Sequence, residues 1–116
     1  MLYTIGTEQE LSMVEDKLPR EVFKELFRST ILLDYAYNPN RNYMESGGYS
    51  LIAETKEDVA EIGRRINFET HPCEWVDLVE DYTVSLFLMN DDFSIVLFIP
   101  LAITPEILKQ ELEEQQ

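Results

Sequence analysis

The stretch that decides the fold is a β-hairpin, and it reads YTVSLFLMNDDFSIVLFI over residues 82–99. Its two halves, Tyr82–Met89 and Phe93–Ile99, are apolar runs of strand length that are rich in β-branched and aromatic residues. The Asn-Asp-Asp segment at 90–92 between them consists of residues that tolerate turn conformations. The pattern therefore predicts two antiparallel strands inside a sheet.

The length of the turn decides which side chains of this hairpin share a face. With a two-residue turn, one face collects Val84, Leu86, Leu88, Ile95, Leu97 and Ile99. The other face collects Thr83, Ser85, Phe87, Met89, Ser94, Val96 and Phe98. A three-residue loop would mix aliphatic and hydroxyl side chains, so the pattern favours the two-residue turn. The first face predicts an aliphatic core, and the second is apolar enough to need at least partial cover by helices.

Four helices are predicted from capping signals and apolar periodicity. Thr7 and Glu10 form a capping-box signal for a helix over about 7–17. Pro19 ends that helix and opens a longer one over about 20–37. Two further helices begin at the capping box of Thr55 and Asp58 and at Thr104-Pro105, and the stripe predicted to be buried in the first of them is Val59, Ile62, Gly63 and Ile66.

Additional short segments complete the predicted sheet. Met1–Ile5 and Tyr49–Glu54 have strand character. Glu74–Val79 matches either a helical turn or a strand, and its β-branched content and the hairpin that follows favour a strand. The sequence predicts one α+β domain over residues 1–116, with an antiparallel sheet of about four strands centred on the 82–99 hairpin and packed with about four helices.

The charge of the chain is strongly acidic and unevenly distributed. Twenty-three Asp and Glu residues oppose 9 Lys and Arg residues, which gives a formal net charge of −14. Residues 1–65 carry −4, whereas residues 66–116 carry −10 and contain a single base, Lys109. Such a charge opposes direct binding to nucleic acid and favours basic protein partners. Solubility remains the simpler explanation of the charge.

Catalytic, metal and membrane signals are weak. Cys73 is the only cysteine, which excludes an intramolecular disulfide and indicates a cytoplasmic protein. The longest apolar run, Ile95–Ile99, is far too short to cross a membrane, and the N-terminus does not resemble a signal peptide. His71 is close enough to Cys73 for contact, but the spacing does not select a nucleophile pair or a zinc site. We predict no cofactor, no metal and no catalytic residue.

Three groups of residues are candidates for binding. Asp34 lies in the apolar stripe of the second helix, where it is either a perturbed acid or a partner for loop amides or Arg41. Leu32, Tyr35 and Ala36 make the end of that helix apolar all round, as at a homodimer interface. The remaining candidates are tyrosines that flank the 44–48 loop and acids of the C-terminal half: Tyr43, Tyr49, Asp77, Glu80, Asp81, Asp91 and Asp92.

These groups support three functional hypotheses. The first is a small, non-enzymatic protein-binding module, similar in size and charge to inhibitors and immunity-type proteins, with a basic partner. The second is a small-molecule binding domain or enzyme that uses Asp34 and the 38–49 loop. The third is a self-associating structural subunit. The sequence favours the first.

Overall fold

One five-stranded sheet organises the computed structural model, which describes residues 1–27, 49–69, 73–90 and 93–114. Its strands in chain order are β1 (Tyr3–Ile5), β2 (Tyr49–Ile52), β3 (Cys73–Val79), β4 (Tyr82–Asn90) and β5 (Phe93–Pro100). Their order across the sheet is β1-β2-β5-β4-β3, with β2 and β5 parallel and all other pairs antiparallel. The α+β class is confirmed, but the sheet is mixed and has one strand more than predicted.

The helices divide between the two faces of the sheet. They are α1 (Glu8–Met13), α2 (Arg20–Phe27), α3 (Lys56–Arg65) and α4 (Glu106–Glu114), with a 3₁₀-helix at Leu101–Ile103. The core under α1 and α2 contains Ile5, Leu11, Val14, Leu18, Val22, Leu26, Ile52, Val84, Leu86, Val96 and Phe98. The core under α3 and α4 contains Leu51, Ala53, Ile62, Ile66, Phe87, Ile95, Leu97, Ile99 and Leu108. Successive residues of β5 enter opposite cores because side chains alternate along a strand.

The predicted sorting of side chains in the hairpin is wrong, because β4 contains a bulge. Asn90 pairs with Phe93 at the tip, but Leu88 pairs with Ser94, so Met89 is one extra residue in β4. A bulge of this kind shifts the register by one residue and exchanges the two faces of the strand beyond it.

The exchange brings Val84 and Leu86 opposite Phe98 and Val96 on the α1–α2 face. Thr83, Ser85 and Phe87 face the aliphatic core instead, opposite Ile99, Leu97 and Ile95. This placement is unfavourable for Ser85, whose buried hydroxyl has no hydrogen-bond partner among the described residues.

The predicted helix starts agree with the structure better than the predicted ends. Thr7 accepts a hydrogen bond from the backbone of Glu10 at 3.1 Å, but α1 ends at Met13 instead of about residue 17. The segment 14–17 forms turns with i to i−3 hydrogen bonds, as in Val14 to Leu11 and Lys17 to Val14. The structure describes the predicted 20–37 helix only as far as Phe27. Its remaining part lies within residues 28–48, which are outside the described residues.

The start of α3 is confirmed in detail, and one residue of its stripe is wrong. Thr55 accepts from the backbone N–H of Asp58 at 3.2 Å, and the Asp58 carboxylate accepts from that of Thr55 at 3.1 Å. Ile62 and Ile66 are buried, as predicted. Gly63 is exposed, and a Cβ there would meet the ring of Phe68 at 3.8 Å instead of the sheet. Within the described ranges, no helix has the length and apolar composition that crossing a membrane requires.

Candidate protein-binding surface

The outermost strand on one side of the sheet is β3, and exposed acids lie on this strand and on the turn that follows it. In the described part of the chain β3 pairs with β4 alone. Val79 pairs with Tyr82, so Glu80 and Asp81 form a two-residue turn between the strands. Asp77, Glu80 and Asp81 are all exposed. Three of the predicted binding residues therefore lie together at one corner of the sheet.

The turn between β3 and β4 is held in an unusual conformation. Glu80 has φ of 54°, in the left-handed region, where a side chain is disfavoured. The backbone N–H of Leu101 donates to the carbonyl oxygen of Asp81 at 2.6 Å. This hydrogen bond joins the turn to the first residue of the 3₁₀-helix. The pairing of Val79 with Tyr82 and this bond together restrict the geometry of the turn.

The strain at Glu80 gives a direct test of this geometry. Glu80→Gly should raise the free energy of unfolding by about 0.5–1 kcal/mol in urea titrations, because glycine adopts positive φ without steric cost. Glu80→Gln controls for the lost charge and should leave stability within about 0.5 kcal/mol. Asp81→Gly should be neutral or destabilising, since Asp81 does not have positive φ. Equal effects of the two glycine substitutions would contradict the described turn.

Helix α4 adds further acids beside β3. Its start is anchored by Thr104, whose hydroxyl donates to the carbonyl oxygen of Pro100 at 2.8 Å and lies 3.1 Å from the hydroxyl of Thr83. The helix then contacts β3. We use the name acidic edge for the exposed carboxylates on β3, its turn and this helix: Asp77, Glu80, Asp81, Glu106, Glu113 and Glu114.

The acidic edge differs from the N-terminal half in how its charges are balanced. Within the described residues, all ion pairs involve acids that precede residue 66. Glu61, for example, bonds Arg64 and lies 3.5 Å from Arg65, and the Arg64 guanidinium lowers the pKa of the Glu61 carboxyl. The carboxylates of the acidic edge have no such partner there. Lys109 on α4 is the single base among these elements, so the six carboxylates outweigh it and the edge carries a net negative potential.

One carboxylate of the acidic edge bonds the backbone of its own strand. Asp77 Oδ1 accepts a hydrogen bond at 2.8 Å from the backbone N–H of Leu78. In a hairpin closed by the Val79–Tyr82 pair, hydrogen-bonded and non-hydrogen-bonded positions alternate, so the N–H of Leu78 points away from β4. The carboxylate therefore covers a donor on the side of β3 that no other described strand occupies.

A second polar cluster lies at the end of the sheet where β3 turns into β4, and most of its polar groups have hydrogen-bond or ion-pair partners. The α-ammonium of Met1 is 3.0 Å from Glu54 Oε2 and 3.3 Å from Asp58 Oδ2. Burial and the Glu54 carboxylate raise the pKa values of Tyr3 and Tyr82. Burial opposes ionisation of Asp58, but the backbone amides of Glu54 and Thr55 and the ammonium together lower the pKa of its carboxyl. These mutual contacts give the cluster a structural role.

Other predicted site residues are separate from the acidic edge or undescribed. Tyr49 is half-buried against the α3–α4 core, and β5 and β4 lie between its strand and β3. The predictions for Leu32, Asp34, Tyr35, Ala36, Tyr43, His71, Asp91 and Asp92 lie outside the described residues. Among the residues that are described, no three His, Cys, Asp or Glu side chains are grouped to hold a metal ion.

The described residues also include an open groove between the end of α1 and the start of α2. Its cavity volume is about 530 Å³, and its lining consists of Glu15, Asp16, Leu18, Arg20, Phe23 and Lys24. Two acids and two bases balance each other there. The lining contains no Ser, Thr, Cys or His side chain, so the groove adds no specific support for the enzyme hypothesis.

Sequence reasoning missed two features of these surfaces. It identified Asp58 through its capping box but not Glu54, Tyr3 and Tyr82, because these residues meet only when β1, β2 and β4 assemble. It also missed the bond between Asp77 and Leu78, which depends on β3 being the outer strand. No protein-family model, curated protein or solved structure matches this chain.

Proposed function

We propose that this protein is a small, non-enzymatic binding module that uses its acidic edge to bind a basic protein. The observation that carries the proposal is the grouping of exposed carboxylates on β3, its turn and α4 without ion-pair partners among the described residues. Uncompensated charge of one sign attracts oppositely charged surfaces and increases the rate of encounter with them. We expect the protein to act in the cytoplasm, since its single cysteine suits a reducing compartment.

Position favours binding over solubility as the role of these charges. Charge that serves only solubility can be spread over the whole surface. Here the N-terminal half mixes acids with bases, as in the pairs Glu21–Lys24 and Glu61–Arg65, whereas residues 66–116 contain Lys109 as their only base. A segregated distribution gives a partner a defined place to bind and a defined orientation.

The test is a pull-down with matched charge variants. Immobilised wild-type protein should retain basic proteins from a cell extract, identified by mass spectrometry, and lose them as salt rises between about 0.1 and 0.5 M. The variant D77N/E80Q/D81N should retain much less. The control E15Q/D16N/E57Q removes the same number of exposed acids from the N-terminal half and should retain the same proteins as the wild type.

Two results would contradict the proposal. One is an equal loss of binding in both triple variants, which would assign the effect to net charge instead of the acidic edge. The other is retention that persists at about 0.5 M salt, where interactions between exposed charges are largely screened.

A further inference from the structure

We propose that the open side of β3 accepts an extended basic segment of the partner as a sixth, antiparallel strand. This inference rests on the proposed function and specifies its mode of binding. It predicts a partner segment in which Lys or Arg alternates with apolar residues. Strand addition of this kind obtains affinity from main-chain hydrogen bonds and specificity from alternate side chains.

The backbone of β3 provides the hydrogen-bonding groups. The pairs of β3 with β4 alternate from Val79–Tyr82 at the turn, so Val76 and Leu78 direct their N–H and C=O groups away from the sheet. Between Cys73 and Trp75 the register shifts, and the regular edge ends there. The edge that no described strand pairs with is therefore a short segment, which a partner strand of similar length would cover.

The bond between Asp77 and Leu78 marks where the partner would bind. In the free protein the Leu78 N–H donates a hydrogen bond to Asp77 Oδ1 at 2.8 Å, where the carbonyl oxygen of an added strand would otherwise accept it. A partner carbonyl would replace this carboxylate, which would then be free to pair with a cation on the incoming strand. The Leu78 N–H has an acceptor both in the free protein, where it is Asp77, and in the complex, where it would be the partner carbonyl. Replacing one acceptor by the other therefore leaves no buried donor without a hydrogen bond.

The side chains along β3 set the expected pattern of the partner. Leu78 pairs with Thr83 on the α3–α4 face and is 40% exposed, so an apolar side chain opposite it would gain contact. Asp77 pairs with Val84 on the other face and is exposed, so a basic side chain opposite it would gain an ion pair. Neighbouring residues of the partner therefore need opposite character.

The same charges disfavour a second copy of this chain as the occupant. Self-pairing of β3 would bring the acids of two acidic edges together, including Asp77, Glu80 and Asp81. Like charges across neighbouring strands are destabilising. A basic segment opposite these acids would be attracted instead of repelled. The charges therefore favour a different protein over a second copy of this chain as the partner.

The test uses the intact protein and a capped peptide of about seven residues in which lysine alternates with valine. Valine opposite Leu78 would point its N–H at β3, and lysine would point its N–H away. N-methylation of the valines should weaken the calorimetric affinity about tenfold or more, and N-methylation of the lysines should change it little. Binding of the unmethylated peptide should also slow hydrogen exchange at the Leu78 and Val76 amides in NMR spectra.

Variants of the protein give an independent measurement. Leu78→Pro removes the outward donor without removing a bond to β4 and places the proline ring where the partner strand would lie. It should therefore weaken binding of the unmethylated peptide and reduce the preference between the two methylated peptides, whereas Leu78→Ala should keep both. Equal affinities for the two methylated peptides, or unchanged exchange at Leu78, would overturn strand addition. Salt-sensitive binding that persists in that case would leave the proposed function intact, whereas failure of the acidic-edge variants to lose basic partners would refute the function itself.

Discussion

Phe98→Ala should lower the free energy of unfolding by about 3–5 kcal/mol, and Leu97→Ala should lower it by about 2–5 kcal/mol. The two residues are neighbours on β5, both are 0% exposed, and they enter different cores. Each truncation removes apolar contact and leaves a cavity that the close-packed surroundings fill only in part. Urea denaturation followed by circular dichroism measures both values.

The comparison of these two neighbours tests whether both faces of the sheet are covered. A sheet with one solvated face would make one of the two substitutions cost less than about 1 kcal/mol. Leu78→Ala on the exposed edge is the control, and we expect it to stay below that value because Leu78 is 40% exposed. A small effect at Phe98 would show that α1 and α2 do not cover their face.

Asp58→Ala should lower the free energy of unfolding by about 1–2 kcal/mol at neutral pH. The Asp58 carboxylate accepts hydrogen bonds from the backbone N–H groups of Glu54 and Thr55 at 2.8 and 3.1 Å, so truncation leaves both donors without that acceptor. Glu57→Ala is the matched control, because Glu57 is an exposed acid in the same first turn of α3. It should change stability by no more than about 0.5 kcal/mol.

The pH dependence of this difference follows from the lowered pKa of Asp58. A carboxyl with a lower pKa in the folded state stabilises the protein above its unfolded pKa, which is about 3.9 for aspartate. That contribution is lost as the pH falls through the folded pKa, because the protonated group binds the amides and the ammonium less well. The difference in the free energy of unfolding between the wild type and Asp58→Ala should therefore become smaller as the pH falls into the acid range. A gap that widens in acid would contradict the described contacts.

Local patterns predicted the elements of this fold well. The strand runs of the 82–99 hairpin, the strand at Glu74–Val79 and the capping box of Thr55 and Asp58 all depend on residues close in sequence, and all are confirmed. Turn and cap chemistry acts over three or four residues, so a single sequence contains it. The charge pattern also indicated Glu80 and Asp81 as binding candidates, but it did not predict the turn that they form between β3 and β4.

Features that depend on distant partners could not be predicted in this way. The sequence does not reveal that β2 pairs in parallel with β5. Strands that are buried on both faces are apolar throughout, so the pattern of apolar residues does not indicate which strands are neighbours in the sheet. The bulge at Met89 reversed the faces of β4 because one extra residue outweighs the preference for sorting hydroxyls from aliphatics. The buried hydroxyl of Ser85, which has no hydrogen-bond partner within the described ranges, shows that the packing of the whole sheet overrode the local preference.

The parallel pair has a consequence for how the chain folds. β5 lies at the centre of the sheet, yet it is the last strand along the chain, and its pairing of Ile52 with Phe98 joins residues far apart in sequence. During synthesis, the β1–β2 pair and the β3–β4 pair emerge earlier and cannot join until β5 leaves the ribosome and inserts between them. Closing such a long loop slows folding, and the inner edges of both pairs stay open meanwhile. The interval before β5 emerges is when the nascent chain is most exposed to misassembly and to chaperone binding.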